Sequence, residues 1–200
     1  MSKLRAWELT DYSRLLMLDG DMLLRRPIDN VFDELNATII DSRSIPEKEV
    51  KHDENPIPAK YLLAGGPEVR GTLHHFPPSR ENGDFIHPTG CNLGFVMLAP
   101  SREMFEYYMS ILKIEGRFNS ATMEQSLLNY AHRPEGAMPW QDLPFTYNTR
   151  TPIEEDIVGN VASIHEKWWT GSKNYPPLRK WYRSKEEMEK FYIARDATNT

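Results

Sequence analysis

The chain has 200 residues, 40% of them hydrophobic and 11% aromatic, and its formal net charge is −5. This length and composition predict one globular domain with a buried core and exclude an extensively disordered chain. The acidic balance and the lack of a basic block argue against nucleic acid as a partner. A single cysteine, Cys91, excludes an internal disulfide, and no apolar run reaches the length of a membrane-spanning helix.

The most informative segment is an apolar run that ends in two carboxylates. Leu15–Leu18 is typical of a strand buried on both faces, as parallel strands are, and Asp19, Gly20 and Asp21 follow it. Residues two apart in an extended chain face the same way, so the two carboxylates can converge on one cation, with Gly20 leaving room for a ligand. Oxygen ligands at a strand end suit Mg²⁺ or Mn²⁺. Alternatively, Asp-Gly forms a turn that only closes the strand.

The first half of the chain alternates short regular segments with one long irregular one. Residues 3–12 predict a short helix, residues 25–33 a turn and short helix, and residues 38–41 a strand. Residues 42–88 form an irregular insertion, rich in proline. This insertion holds four histidines whose spacing fits no metal motif: His52, His74, His75 and His87.

The second half predicts longer elements. Residues 91–98 read as a second buried strand, and Ser101 as the N-cap of the helix that follows. The side chains expected to face the core from this helix are Met104, Phe105, Tyr108, Ile111 and Leu112. Residues 120–130 predict another helix, with Met123, Leu127 and Leu128 facing inward.

The last third of the chain predicts shorter elements and a tail. Residues 143–148 predict an extended segment and residues 161–165 a last short strand. Residues 170–200 predict a peripheral tail with a helix at 184–194.

Polar residues lie at three of the predicted strands. Asp19 and Asp21 follow the first, Asn92 and Gly94 lie in the second, and His165 ends the last. Because ligands collect at the carboxyl ends of strands in α/β sheets, we expect these residues to meet. An imidazole beside two carboxylates favours Mn²⁺ over Mg²⁺.

Seven segments, in the same order along residues 3–169, resemble motifs of the family 8 glycosyltransferases, which include glycogenin and the galactinol synthases. The resembling stretches are residues 3–12 before the DxD strand, 19–21 at the DxD motif, 27–32, 92–101, 124–129, 143–148 and 164–165. Two positions depart from the family pattern. Glu124 stands where the family usually has Asp, and residues 166–169 replace the usual Gly and Lys-Pro-Trp.

The resemblance implies an α/β fold of the GT-A type, a Rossmann-like sheet flanked by helices, in a single domain over residues 1–200. It also implies retaining transfer of a hexose from a nucleotide-sugar, UDP-hexose, to a glycan, polyol or protein acceptor, with Mn²⁺ (or Mg²⁺) as cofactor. The residues that it places in the site are Asp19, Asp21 and His165 as metal ligands, Lys3, Asn92, Gly94 and Lys167 as substrate-binding residues, and Glu124 and Gln125 as catalytic residues.

The segment before Asp19 is short for this family. Only 18 residues precede it, fewer than the roughly 30 of one βαβ unit. We therefore expect an N-terminally truncated GT-A fold, a poor catalyst on its own, with an open sheet edge that favours pairing into a homo-oligomer. A literal reading predicts a cytoplasmic protein, whereas a lost N-terminal anchor would place it in the Golgi. Two alternatives stay open: a non-catalytic remnant that binds a partner or carbohydrate, and a DxD phosphatase.

Overall fold

The computed structural model describes residues 3–169 and 176–198, which form a mixed α/β fold. In chain order the strands are β1 (Leu15–Leu18), β2 (Met22–Leu24), β3 (Ile40–Asp41), β4 (Lys60–Tyr61), β5 (Leu63–Val69), β6 (Phe85–Leu98), β7 (Gln141–Asp142), β8 (Thr149–Arg150) and β9 (Ser163–His165). The α-helices are α1 (Arg102–Leu112), α2 (Glu124–Ala131), α3 (Glu154–Val158) and α4 (Pro176–Thr198). Short 3-10 helices lie at Lys3–Glu8, Asp29–Asp33, Glu47–Glu49, Gly71–Leu73, Ser120–Thr122 and Phe145–Tyr147.

The strands form two sheets and a separate pair. The first sheet has the order β1-β6-β5-β7; β1 and β5 run antiparallel to β6, and β7 runs parallel to β5. The second sheet has the order β2-β9-β8, with β2 antiparallel and β8 parallel to β9. Strands β3 and β4 pair with each other. The core lies against β6, where the apolar residues 95–98 are fully buried.

Strand β1 differs from the expectation of a strand buried on both faces. Its first three residues are half-buried, and Leu18 is 38% exposed. Among the described residues β1 pairs only with β6, so it forms an edge of the sheet, and this pairing is antiparallel rather than parallel. An apolar run therefore predicted the strand correctly and its surroundings wrongly.

Residues 42–88 are more regular than the sequence indicates. They contain β4, all of β5 and the start of β6, and β5 lies between β6 and β7 in the first sheet. Strand β5 was not predicted because it contains Gly65, Gly66 and Pro67, and glycine and proline weaken or interrupt strands. A side chain at position 65 would meet the Cys91 sulfur at 2.6 Å, so packing against β6 favours glycine there.

Helix α1 follows its prediction closely. The Ser101 side chain caps it by accepting a hydrogen bond from the Met104 backbone N–H at 3.3 Å. Met104, Tyr108 and Ile111 are buried as expected, together with Tyr107, whereas the expected Phe105 and Leu112 are only partly buried.

The predicted helix at 120–130 is interrupted. Met123 has a φ of 47° and separates Ser120–Thr122 from α2. The Met123 side chain is 65% exposed, which contradicts the inward position expected for it, whereas Leu127 and Leu128 are fully buried as expected.

The remaining differences concern short segments near both ends. The helix expected over residues 3–12 is a 3-10 helix at Lys3–Glu8, and the extended segment expected over 143–148 contains one at Phe145–Tyr147. The tail helix α4 is longer than the predicted 184–194, and residues 170–175 of the predicted tail lie outside the described residues. None of the described helices combines the length and hydropathy that crossing a bilayer requires.

Candidate metal centre

Asp19, Gly20 and Asp21 form the turn that joins β1 to β2. The Asp19 backbone N–H donates to the Gly94 carbonyl oxygen at 2.8 Å, and the Asp21 carbonyl oxygen accepts from the Glu166 N–H at 3.3 Å. One arm of the turn is therefore bonded to the first sheet and the other arm is bonded next to β9 of the second. The two carboxylates are brought together by this turn and not by the extended strand that the sequence predicted.

The ligand atoms of Asp19, Asp21 and His165 lie within 4.8 Å of one another. The His165 Nε2 atom is 3.1 Å from Asp21 Oδ1 and 3.8 Å from Asp19 Oδ2. The second oxygen of each carboxylate faces a lysine: Asp19 Oδ1 pairs with Lys3, and Asp21 Oδ2 lies 4.0 Å from Lys167 Nζ. Each carboxylate therefore directs one oxygen to the centre of the cluster and the other to an ammonium group.

His165 is buried and ends β9. Burial lowers the pKa of His165 below its usual range; the charges of Asp21 and Asp19 oppose this shift and that of Arg150 adds to it. A lowered pKa favours the neutral imidazole, which is the form that binds metal ions. Two carboxylates and one neutral imidazole form a mixed O and N donor set that could hold a divalent metal ion.

Gly94 lies directly beneath the His165 ring. A Cβ atom at position 94 would lie 2.1 Å from His165 Cε1 and 2.4 Å from Nδ1, so the imidazole occupies the space that a side chain would need. The neighbouring Asn92 Oδ1 accepts from the Gly94 N–H at 2.9 Å. The structure thus places Gly94 and Asn92 beside the histidine, and their expected contacts to the donor stay predictions.

The cluster opens into a cavity of about 420 Å³. The predicted site residues that line it are Lys3, Asp19, Asn92, Glu124, Gln125, His165 and Lys167. Gln125 Oε1 accepts from the Leu93 backbone N–H at 3.1 Å, which fixes the start of α2 against β6. Both Glu124 and Gln125 therefore line the same cavity as Asp19 and His165.

Three further residues of the site were missed by the sequence reasoning: Glu68, Asn148 and Arg150. Asn148 Oδ1 lies 3.0 Å from His165 Nδ1, and the Glu68 carboxylate accepts hydrogen bonds from both Asn92 and Arg150. Arg150 comes to the site because the parallel pairing of β8 with β9 sets it opposite His165. Asn148 could have been found, because it is the last residue of the motif at 143–148. No sequence signal pointed to Glu68, because β5 was not predicted as a strand.

A second cavity of about 420 Å³ lies near Glu54, away from the aspartate–histidine cluster. Its buried carboxylate already accepts from Tyr107 at 3.0 Å and Tyr130 at 2.6 Å, and it pairs with Arg117 at 3.1 Å. This carboxylate is satisfied within the protein, and the set of three potential metal ligands found among the described residues is Asp19, Asp21 and His165.

The chain is similar in sequence to proteins of Schizosaccharomyces pombe and Arabidopsis thaliana. No protein-family model matches the chain. Two uncharacterized proteins of Schizosaccharomyces pombe are 32% and 26% identical to it over 96% of its length, and the chain spans about half of theirs, 55% and 54%. A protein of Arabidopsis thaliana named "Putative UDP-glucuronate:xylan alpha-glucuronosyltransferase 3" is 49% identical over 39 residues, which are 18% of this chain and 6% of that protein. The similarity to a named glycosyltransferase is thus confined to a short stretch.

Proposed function

We propose that this chain carries the site of a metal-dependent, retaining hexosyltransferase with a GT-A type domain. The observation that carries the proposal is the convergence of Asp19, Asp21 and His165 beside a cavity that Lys3 and Lys167 also line. The short similarity to the plant glucuronosyltransferase supports the transferase class. The donor is a nucleotide-sugar, UDP-hexose, and the acceptor is a hydroxyl of a glycan, polyol or protein.

In this reaction the bond between the anomeric carbon and the phosphate oxygen breaks, and the acceptor oxygen bonds to that carbon while its proton is released. Negative charge collects on the departing nucleoside diphosphate. Asp19, Asp21 and His165 would hold a Mn²⁺ (or Mg²⁺) ion, which would supply a Lewis acid for that charge. Lys3 and Lys167, which flank the two carboxylates, add fixed positive charge next to the phosphates.

Glu124 and Gln125 are proposed to face the hexose. Both line the cavity, and Gln125 is held by the Leu93 backbone, so its side chain is positioned before any ligand enters. A group fixed in advance costs little ordering when the transition state forms. Glu124 brings a carboxylate to the same wall and is the candidate for interaction with positive charge on the sugar ring.

The test is calorimetric titration of the chain with UDP in the presence and absence of Mn²⁺. We expect Mn²⁺ to bind and UDP to bind only when Mn²⁺ is present, because the carboxylates would hold the ion and the ion would supply the positive charge that attracts the diphosphate. Asp21→Ala should abolish both. The matched control is Asp41→Ala, which removes an exposed aspartate that is likewise near a lysine, Lys60 at 3.8 Å.

Equal UDP binding without Mn²⁺, or by Asp21→Ala, would contradict the proposal. Incubation of the chain and Mn²⁺ with UDP-hexoses then measures UDP release. Hydrolysis of simple phosphate monoesters instead of UDP release would favour the phosphatase.

A further inference from the structure

A third cavity, of about 610 Å³, adjoins the cavity of the candidate metal centre. Glu68, Thr122 and Gln125 line both cavities and so form the junction between them. We propose that this third cavity, the acceptor groove, binds an uncharged oligosaccharide and presents one of its hydroxyl groups at the junction. The inference rests on the proposed function, since it selects one acceptor class among glycan, polyol and protein.

The acceptor groove follows one face of α2. Gln125, Asn129 and Arg133 line it at intervals of four residues, which places them on the same side of the helix. The eight residue steps from Gln125 to Arg133 correspond to about 12 Å at 1.5 Å per residue. A groove of this length is longer than one sugar ring, so a chain of sugar units fills it better than a polyol of one ring does.

Two side-chain amides of the groove offer hydrogen-bond donors. Gln125 Oε1 accepts from the Leu93 backbone N–H at 3.1 Å, and Asn119 Oδ1 accepts from the Ala121 N–H at 3.0 Å. Because a backbone N–H can only donate, these contacts identify the oxygen of each amide. The NH₂ group of each amide has no partner within the described residues, and the hydroxyl oxygens of a sugar accept from such groups.

The groove also has apolar surface. Ile86, which is 50% exposed, and Phe118, which is partly buried, both line it. A sugar ring carries hydroxyl groups around its edge and C–H bonds on its faces. One ring can therefore contact the amides through its edge while a face packs on the aromatic and aliphatic side chains.

The charged side chains of the groove are paired. Glu68 pairs with Arg150, and Arg133 Nε lies 3.7 Å from Glu135 Oε1. Among the described residues of the groove each charge thus has an opposite charge beside it. Burying a further charge there without a partner is costly, which favours an uncharged oligosaccharide over an acidic glycan or a charged peptide.

The test is saturation-transfer difference NMR of the chain with three uncharged tetrasaccharides: maltotetraose, cellotetraose and xylotetraose. It is carried out without Mn²⁺ or UDP, and myo-inositol and a neutral serine-containing peptide represent the other two acceptor classes. We expect saturation transfer to at least one tetrasaccharide and none to myo-inositol or the peptide. Failure of all three tetrasaccharides, or an equal signal from myo-inositol or the peptide, overturns the inference.

A blocking variant tests the location. Ser126→Arg places a long side chain in the middle of the groove, and arginine is a strong helix former, so the variant should fold and lose tetrasaccharide binding. The matched control is Ala194→Arg at an exposed position of α4, which should bind as the wild type does. Unchanged binding by Ser126→Arg overturns the assignment of the groove.

A second variant tests one donor without blocking the groove. Asn119→Asp keeps an oxygen that accepts from the Ala121 N–H and replaces the NH₂ group by a second oxygen. We expect tetrasaccharide binding to weaken by about 2- to 10-fold, the loss that one hydrogen bond typically brings. Wild-type affinity in this variant would contradict the role of the Asn119 amide as a donor.

This inference and the proposed function fail in different ways. UDP binding that depends on Mn²⁺, without tetrasaccharide binding, would refute the acceptor groove and leave the transferase. Tetrasaccharide binding without any Mn²⁺-dependent UDP binding would refute the transferase and leave a carbohydrate-binding groove.

Discussion

Replacing Gly94 by alanine should expel His165 from the candidate metal centre. The new Cβ atom would lie 2.1 Å from His165 Cε1, and ordinary contacts begin at 3.4 Å, so the ring must retreat by at least about 1.3 Å. Metal–ligand distances tolerate deviations of about 0.2 Å. The displaced Nε2 atom could therefore no longer act as a ligand together with Asp19 and Asp21. Losing a residue that orients a metal ligand typically weakens metal binding 10–100-fold, and losing the ligand itself should cost more. We expect Mn²⁺ binding to weaken by at least about 100-fold.

The measurement is the Mn²⁺ dissociation constant of Gly94→Ala, together with its free energy of unfolding in urea. Overpacking should cost about 1–3 kcal/mol of stability, which separates a displaced ring from a collapsed fold. The matched control is Gly66→Ala in β5, where the new Cβ would meet the Asn148 Cβ at 3.7 Å, an ordinary contact. Wild-type Mn²⁺ affinity in Gly94→Ala would refute the reasoning, because it would mean that His165 is not a ligand.

Two further predictions concern stability. Burial lowers the pKa of His132 to about 4, and the neutral ring is hydrogen-bonded to Met138 and Tyr108. As the pH falls, the histidine therefore takes up a proton in the unfolded chain before it does so in the folded protein. The unfolding free energy should consequently fall by about 3 kcal/mol as the pH drops from 6.5 to 4. Urea titrations across that range should show a shallower fall in His132→Gln, and equal slopes would contradict the assignment. Ser101→Ala removes the cap on the Met104 N–H and should lower the unfolding free energy by about 1 kcal/mol, measured by thermal melting; an unchanged melting temperature would argue against the cap.

The predictions that succeeded rest on local signals. The apolar run of β6 and the cap of α1 are specified by neighbouring residues, so they can be recognised without the fold. Asp19 and Asp21 were recognised as a pair, although both interpretations of Asp-Gly apply at once, because the residues form a turn and also converge with His165.

The predictions that failed depend on contacts between distant residues. Strand β5 contains Gly65, Gly66 and Pro67, and only its position between β6 and β7 makes it a strand. Glu68 and Asn148 reach the site through pairings of β5 with β6 and through the hydrogen bond to His165. No local periodicity encodes such contacts, so the hydrogen bonds of Asn148 with His165 and of Glu68 with Asn92 could not be predicted from the sequence.

The turn of Asp19 and Asp21 has a mechanical consequence. Its first residue is hydrogen-bonded to β6 and its last residue to Glu166, which follows β9, so the turn connects the two sheets. A cation bound by this turn and His165 would connect the two sheets. By mass action a ligand of the folded state adds about 2.7 kcal/mol of stability at one hundred times its dissociation constant. The melting temperature of the protein would then rise with the concentration of divalent cation, so it would measure how much of the site is occupied.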